Sequence, residues 1–106
     1  MLLETMLEAQ RALQKEMNCM NTLFGEPKEN ILALVSETME VLNELNWKPW
    51  KKPNAVNRTR LVKELVDVLM IYCNLLNSLE VNADELELMY AVKLAEVYKR
   101  IQDERA

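Results

Sequence analysis

Histidine is absent from this sequence, glycine occurs once and proline three times. Without an imidazole, histidine-based acid–base catalysis and the usual zinc and haem ligations are excluded. The scarcity of glycine and proline, beside abundant Leu, Met, Glu, Ala and Lys, favours helix and speaks against sheet. Cysteine is sparse as well. Cys19 and Cys73 lack metal spacing and sit in apolar helical stretches, so they read as buried reduced thiols. Positive charge is not in excess: 13 Lys and Arg face 17 Asp and Glu, a net charge of −4. That balance leaves no footprint for a nucleic acid polymer. Long apolar runs are missing too, none approaching the ~18–20 residues that span a bilayer. The opening "MLLETMLEAQR" carries Glu4 and Glu8 and no basic n-region, unlike a signal peptide. The expectation is a soluble, cytoplasmic protein with no membrane partner, and at 106 residues a single domain over 1–106.

What is present is helical periodicity. Leu3, Met6, Gln10, Leu13, Met17, Met20 and Phe24 recur at spacings of three and four, predicting a first helix over about 2–23, with Gly25 as its C′ residue. Pro27 favours a fresh start, and a second helix is predicted over about 28–46. Pro49 and Pro53 make "NWKPWKKPNAVN" a loop. A third helix is predicted over 57–79 with Asn57 as its cap. A fourth follows over 83–104, with Asn82 and Glu85 in a capping-box arrangement. The fold class is therefore all-α, a four-helix domain with short connections and antiparallel neighbours. Eight apolar residues between Ile31 and Leu45 cover about 180° of the second helix. The third is apolar at twelve of the sixteen positions from Leu61 to Leu76. Faces this wide want covering on more than one side, which points to a homodimer or a dimer of dimers.

Against this apolar background the carboxylates stand out. Glu37, Glu40 and Glu44 fall within about 60° of one another on the second helix. For that helix alone, a solvated acidic face explains them. Glu64 and Asp67 change the balance, because Glu64 shares its face with Val68, Ile71 and Leu75. Carboxylates leave water only when paired or metal-bound. If the two helices are antiparallel neighbours, Glu37, Glu40, Glu64 and Asp67 converge. A hard divalent ion, Mg²⁺ above all, relieves the repulsion and completes its shell with water and substrate phosphates. Lys48, Lys51, Lys52, Lys93, Lys99 and Arg100 offer charge for phosphate oxygens. Trp47 and Trp50 can stack on a nucleobase or pack beneath the loop.

These residues resemble a known family. "ETMEVLNELNWKPWKK" followed by "KELVDVL" is similar to the all-α nucleoside triphosphate pyrophosphohydrolases, the MazG-like and dimeric dUTPase superfamily, whose signature is ExxE on one helix and ExxD on the next. Glu37 and Glu40 match the first half, Glu64 and Asp67 the second, and the likeness runs from about residue 31 to 100. "WKPWKK" is closer to the dimeric dUTPases, and "YAVKLAEVYKR" resembles a closing motif in which Lys93 and Arg100 approach phosphates. Val97 stands where that motif carries asparagine, and the short chain matches a compact MazG-like enzyme.

The resemblance implies Mg²⁺-dependent hydrolysis of nucleoside triphosphates to monophosphate and pyrophosphate, with Mn²⁺ as a substitute ion. Glu37, Glu40, Glu64 and Asp67 would be both catalytic residues and metal ligands, with Glu37 the candidate for orienting water. Lys51, Lys93 and Arg100 would bind phosphate, and Gln10, Trp47 and Trp50 the base. A house-cleaning enzyme with a pyrimidine preference follows. Two alternatives stay open: a helical interaction module with acidic faces salt-bridged to Lys48, Lys51 and Arg60, and a phosphoribosyl-ATP pyrophosphohydrolase-like enzyme.

Overall fold

Four helices make up the regular structure of the computed structural model, which describes residues 2–17 and 26–106. They are α1 (Leu3–Glu16), α2 (Pro27–Glu44), α3 (Arg58–Ser78) and α4 (Ala83–Arg105), with no strand among the described residues. Local chemistry marks their starts as the sequence predicts. Pro27 opens α2, where its missing N–H costs nothing. Asn57 Oδ1 accepts from the Arg60 N–H at 3.0 Å, and Asn82 Oδ1 from the Glu85 N–H at 2.9 Å. The first helix follows its predicted periodicity through the described residues, and the predicted stretch 18–23 lies outside them. It ends at Glu16, with Met17 as the C-cap and its N–H returning to the Leu13 carbonyl. Leu13 and Met17 are both exposed there. Met20, Phe24, Gly25 and Cys19 lie outside the described residues.

Two seams join the helices, and both run antiparallel. Along α2–α3, Glu44 meets Arg60 while Glu37 meets Glu64 and Asp67. Along α1–α3, Asn77 Nδ2 donates to the Leu7 carbonyl at 3.1 Å, and Gln10 Nε2 donates to Asn74 Oδ1, also at 3.1 Å. The core is small: Leu7, Cys73, Leu76 and Ala83, with Leu3, Met6, Val81 and Leu86 packed against it. It sits where α1, the end of α3 and the start of α4 meet. Cys73 is a free, buried thiol, as expected, and burial pushes its pKa up.

The rest is open. The buried residue of α2 is Asn30, while Ile31, Leu32, Val35 and Met39 are exposed. On α3, Leu65, Val66, Leu69 and Met70 are exposed as well. α4 presents Leu88, Met89, Tyr90, Tyr98 and Ile101 to solvent, an uncovered face beyond those the sequence marked out. The radius of gyration is 17.4 Å, against about 13 Å for a compact chain of this length. The accessible surface is 8511 Å², where a folded monomer of this mass exposes about 6,100 Å².

The turn into α4 holds a left-handed residue, Glu80, with φ 56°. The Val81 N–H bonds the Leu76 carbonyl at 2.9 Å and the Glu80 N–H bonds the Asn77 carbonyl at 3.1 Å, a Schellman end to α3. Glycine is the usual occupant because a Cβ costs about 1–2 kcal/mol in this region. Glu80→Gly should therefore stabilise the protein by about 0.5–1 kcal/mol, the extra unfolded freedom of glycine offsetting part of the gain. Urea denaturation of the two proteins checks it, and a less stable variant refutes it.

Candidate metal centre

The α2–α3 seam places acidic side chains against each other. Antiparallel pairing aligns Glu37 on α2 with Glu64 and Asp67 on α3, and one carboxylate oxygen of each lies within 4.8 Å of the other two. Glu37 and Glu64 are half-buried and Asp67 is exposed, so the cluster opens to solvent on one side. Glu40, expected as a fourth ligand, is exposed and outside this triad, although its charge reaches Glu64. Burial pushes the Glu64 carboxyl above its ordinary 4.5, and the charges of Asp67, Glu40, Glu37 and Glu44 add to the shift.

Glu44 is a member of this field that ExxE spacing alone passes over. It lies seven residues after Glu37, two turns along the same face, which is the signal that identifies it. Its Oε2 forms an ion pair with Arg60 Nε at 3.4 Å, with the glutamate the less exposed partner. This ion pair ties the end of α2 to the start of α3. It also realises, at Arg60, one of the salt bridges expected of an interaction module.

The donor set fits a hard divalent cation. Oxygens on one Mg²⁺ at about 2.1 Å can lie at most about 4.2 Å apart. The three carboxylates are within small side-chain movements of that spacing. All are oxygen donors on rigid helices, and one open side leaves room for water and phosphate oxygens.

Beyond the C-terminal end of α2 the chain forms a pocket of ≈ 300 Å³ lined by Asn43, Asn46, Trp47, Lys48, Lys51 and Lys52, among others. Asn43 lies six residues past Glu37, about 9 Å along the helix. Trp47 and Trp50 meet edge to face with centroids 5.9 Å apart, and Lys48 Nζ sits 5.6 Å from the Trp47 ring centre. Trp47 Nε1 donates to Asn43 Oδ1 at 3.3 Å. Trp50 is 69% exposed, a ring available for stacking. Lys51, Trp47 and Trp50 are thus gathered in one place.

The remaining candidates are elsewhere in the single chain. Gln10 is buried in the α1–α3 seam, its amide donating to Asn74 Oδ1 at 3.1 Å and to the Met70 carbonyl at 3.5 Å. Lys93 pairs with Glu96 on its own helix at 3.9 Å. Arg100 sits in a shallow groove with Glu96, Lys99, Asp103 and Glu104. α4 packs on α1.

Because its folded pKa is raised, Glu64 contributes stability that is fully present below 4.5 and lost as pH climbs through the folded value. Metal-free wild type and Glu64→Gln should therefore melt alike below pH 4.5, with the variant the more stable as pH rises towards 7. Thermal denaturation in chelator across that range checks this, and a variant that loses stability at neutral pH refutes it.

A sequence model of the dUTPase family matches residues 2–104, a span that holds both halves of the acidic motif, the tryptophan–lysine loop and α4. No curated protein and no solved structure matches the chain.

Proposed function

The chain belongs to the dUTPase family, and from that membership we propose that it is a Mg²⁺-dependent nucleoside triphosphate pyrophosphohydrolase of the compact MazG-like kind. Its substrates are deoxynucleoside triphosphates of the cytoplasmic pool, pyrimidines first. The observation that carries this reading is the meeting of Glu37, Glu64 and Asp67 within 4.8 Å. The pocket of lysines and tryptophans at the end of the same helix supports it.

In this reading Glu37, Glu64 and Asp67 hold the ion, and Glu40 joins them from the same face of α2. A bound Mg²⁺, or Mn²⁺ in its place, supplies charge neutralisation for phosphate oxygens and a more acidic water. Glu37 orients the attacking water and accepts its proton. The bond between the α and β phosphates is cut, and the monophosphate and pyrophosphate leave. Lys51 stabilises negative charge on the departing pyrophosphate. Trp50 and Trp47 cover the base, which contributes affinity with little base identity. Identity comes from buried polar groups. Gln10 is the candidate: its Nε2 donates to α3, and an amide carbonyl oxygen can accept from the edge of a base.

Lys93 and Arg100 enter this reading through assembly. α4 of one copy covers the α2–α3 pair of another, bringing its cations to the phosphates. The chain exposes about 2,400 Å² more than a compact monomer of its mass, an area on the scale that obligate homodimers bury. A dimer, or a dimer of dimers, is the expected state at micromolar concentration. A folded monomer in sedimentation equilibrium would overturn it.

Pyrophosphate release from dUTP, dCTP, dTTP, dATP and dGTP, with Mg²⁺ and with chelator, tests the activity. Glu40→Gln, Glu64→Gln and Asp67→Asn should each lower kcat/KM by more than about 100-fold, since even groups behind a metal ligand cost about 10–100-fold. Helix content should persist, and Mg²⁺ should raise the melting temperature of each variant less than that of wild type. Near-wild-type turnover in all three sinks the site assignment. Trp47→Ala or Trp50→Ala should cost about 5- to 150-fold, the worth of one stacked base. Two tryptophan variants equal to wild type would mean that the rings only pack.

A further inference from the structure

The connection between α2 and α3 is closed by one side chain. Asn46 Nδ2 donates to the Asn54 carbonyl oxygen at 2.6 Å, and the Asn54 N–H donates to Asn46 Oδ1 at 3.0 Å. The Asn46 amide thus behaves as a peptide group in a ladder, pairing both ways with a residue eight positions on. Inside the closure, the Lys51 N–H donates to the Lys48 carbonyl at 3.2 Å. Pro49 occupies the second position of that turn, where its fixed φ is already correct. Trp47 is anchored at the base of the loop by its bond to Asn43.

This closure gathers like charge. Lys48, Lys51 and Lys52 line the ≈ 300 Å³ pocket together with Asn46 and Asn54. Three ammonium groups in so short a segment repel, and an open loop would spread them and gain conformational entropy. A loop with its ends pinned and its own side chains packed within it keeps them on one pocket.

We propose that Asn46 is a positioning residue: its paired hydrogen bonds to Asn54 hold the 46–54 loop closed, so that Lys48, Lys51 and Lys52 form a preorganised cradle for the condensed-phosphate chain of the substrate. The proposal rests on the triphosphate reading of the neighbouring carboxylates, but the cradle binds polyphosphate whether or not hydrolysis follows. A loop that must first be ordered spends binding energy on ordering. Loss of Asn46 therefore acts on substrate affinity, while the carboxylates on α2 and α3 keep their geometry.

The test uses the full chain and inorganic tripolyphosphate without divalent ions, followed by tryptophan fluorescence. Wild type should bind saturably. Asn46→Ala, and Asn46→Ser whose hydroxyl cannot span both groups, should bind at least about tenfold more weakly, with unchanged helix content. The near-ultraviolet circular dichroism of the Trp47–Trp50 pair should fall in both. Mn²⁺ affinity should stay at the wild-type value, and KM for dUTP should rise at least about tenfold, whatever further loss in kcat follows from a displaced Lys51. Wild-type affinity for tripolyphosphate in either variant overturns the proposal, as does a wild type that binds none, or a kcat that falls while KM holds. Asn46-dependent tripolyphosphate binding by a wild type that releases pyrophosphate from no nucleotide would leave Asn46 its role and remove the hydrolase reading.

Discussion

Three carboxylates brought within 4.8 Å of one another repel, and the helices that carry them must be held together by something else. Here it is the packing of α2 against α3, reinforced at the loop end by the Glu44–Arg60 pair. Glu64 records the tension, its proton held more tightly than in water because of burial and four neighbouring acids. Packing thus forces together groups whose own electrostatics would part them, and in the proposed reading a multivalent cation would relieve that conflict.

The helices were legible because their signals are local. Pro27, Asn57 and Asn82 act on their immediate neighbours, and each stands where a helix begins. The convergence of Glu37, Glu64 and Asp67 could be read as well, because each lies on the face that meets the other helix once the two pair antiparallel. Asn46 was passed over. Its partner, Asn54, is set by how the chain returns after Pro49 and Pro53, and no spacing rule encodes that return.

The two halves of the molecule differ in kind. Around Leu7, Cys73, Leu76 and Ala83 there is a true interior. Towards the acidic cluster there is a two-helix ribbon with apolar side chains facing water, and α4 extends with its own apolar side bare. The acidic cluster thus sits on the half of the chain that has the least core of its own. In the proposed reading, a partner covering those faces would also stiffen the seam on which the carboxylates are mounted.

The buried amide pair of Gln10 and Asn74 has a consequence of another sort. Apolar surfaces are forgiving about axial position, and two greasy helices can slide by a turn with small loss. Two buried amides cannot. Shifting α1 along α3 by one turn, about 5.4 Å, would strand both in a dry seam, at a cost neither Leu7 nor Leu76 could offset by finding another methyl group. The pair therefore works like a keyed joint, and the key is cut to a single depth.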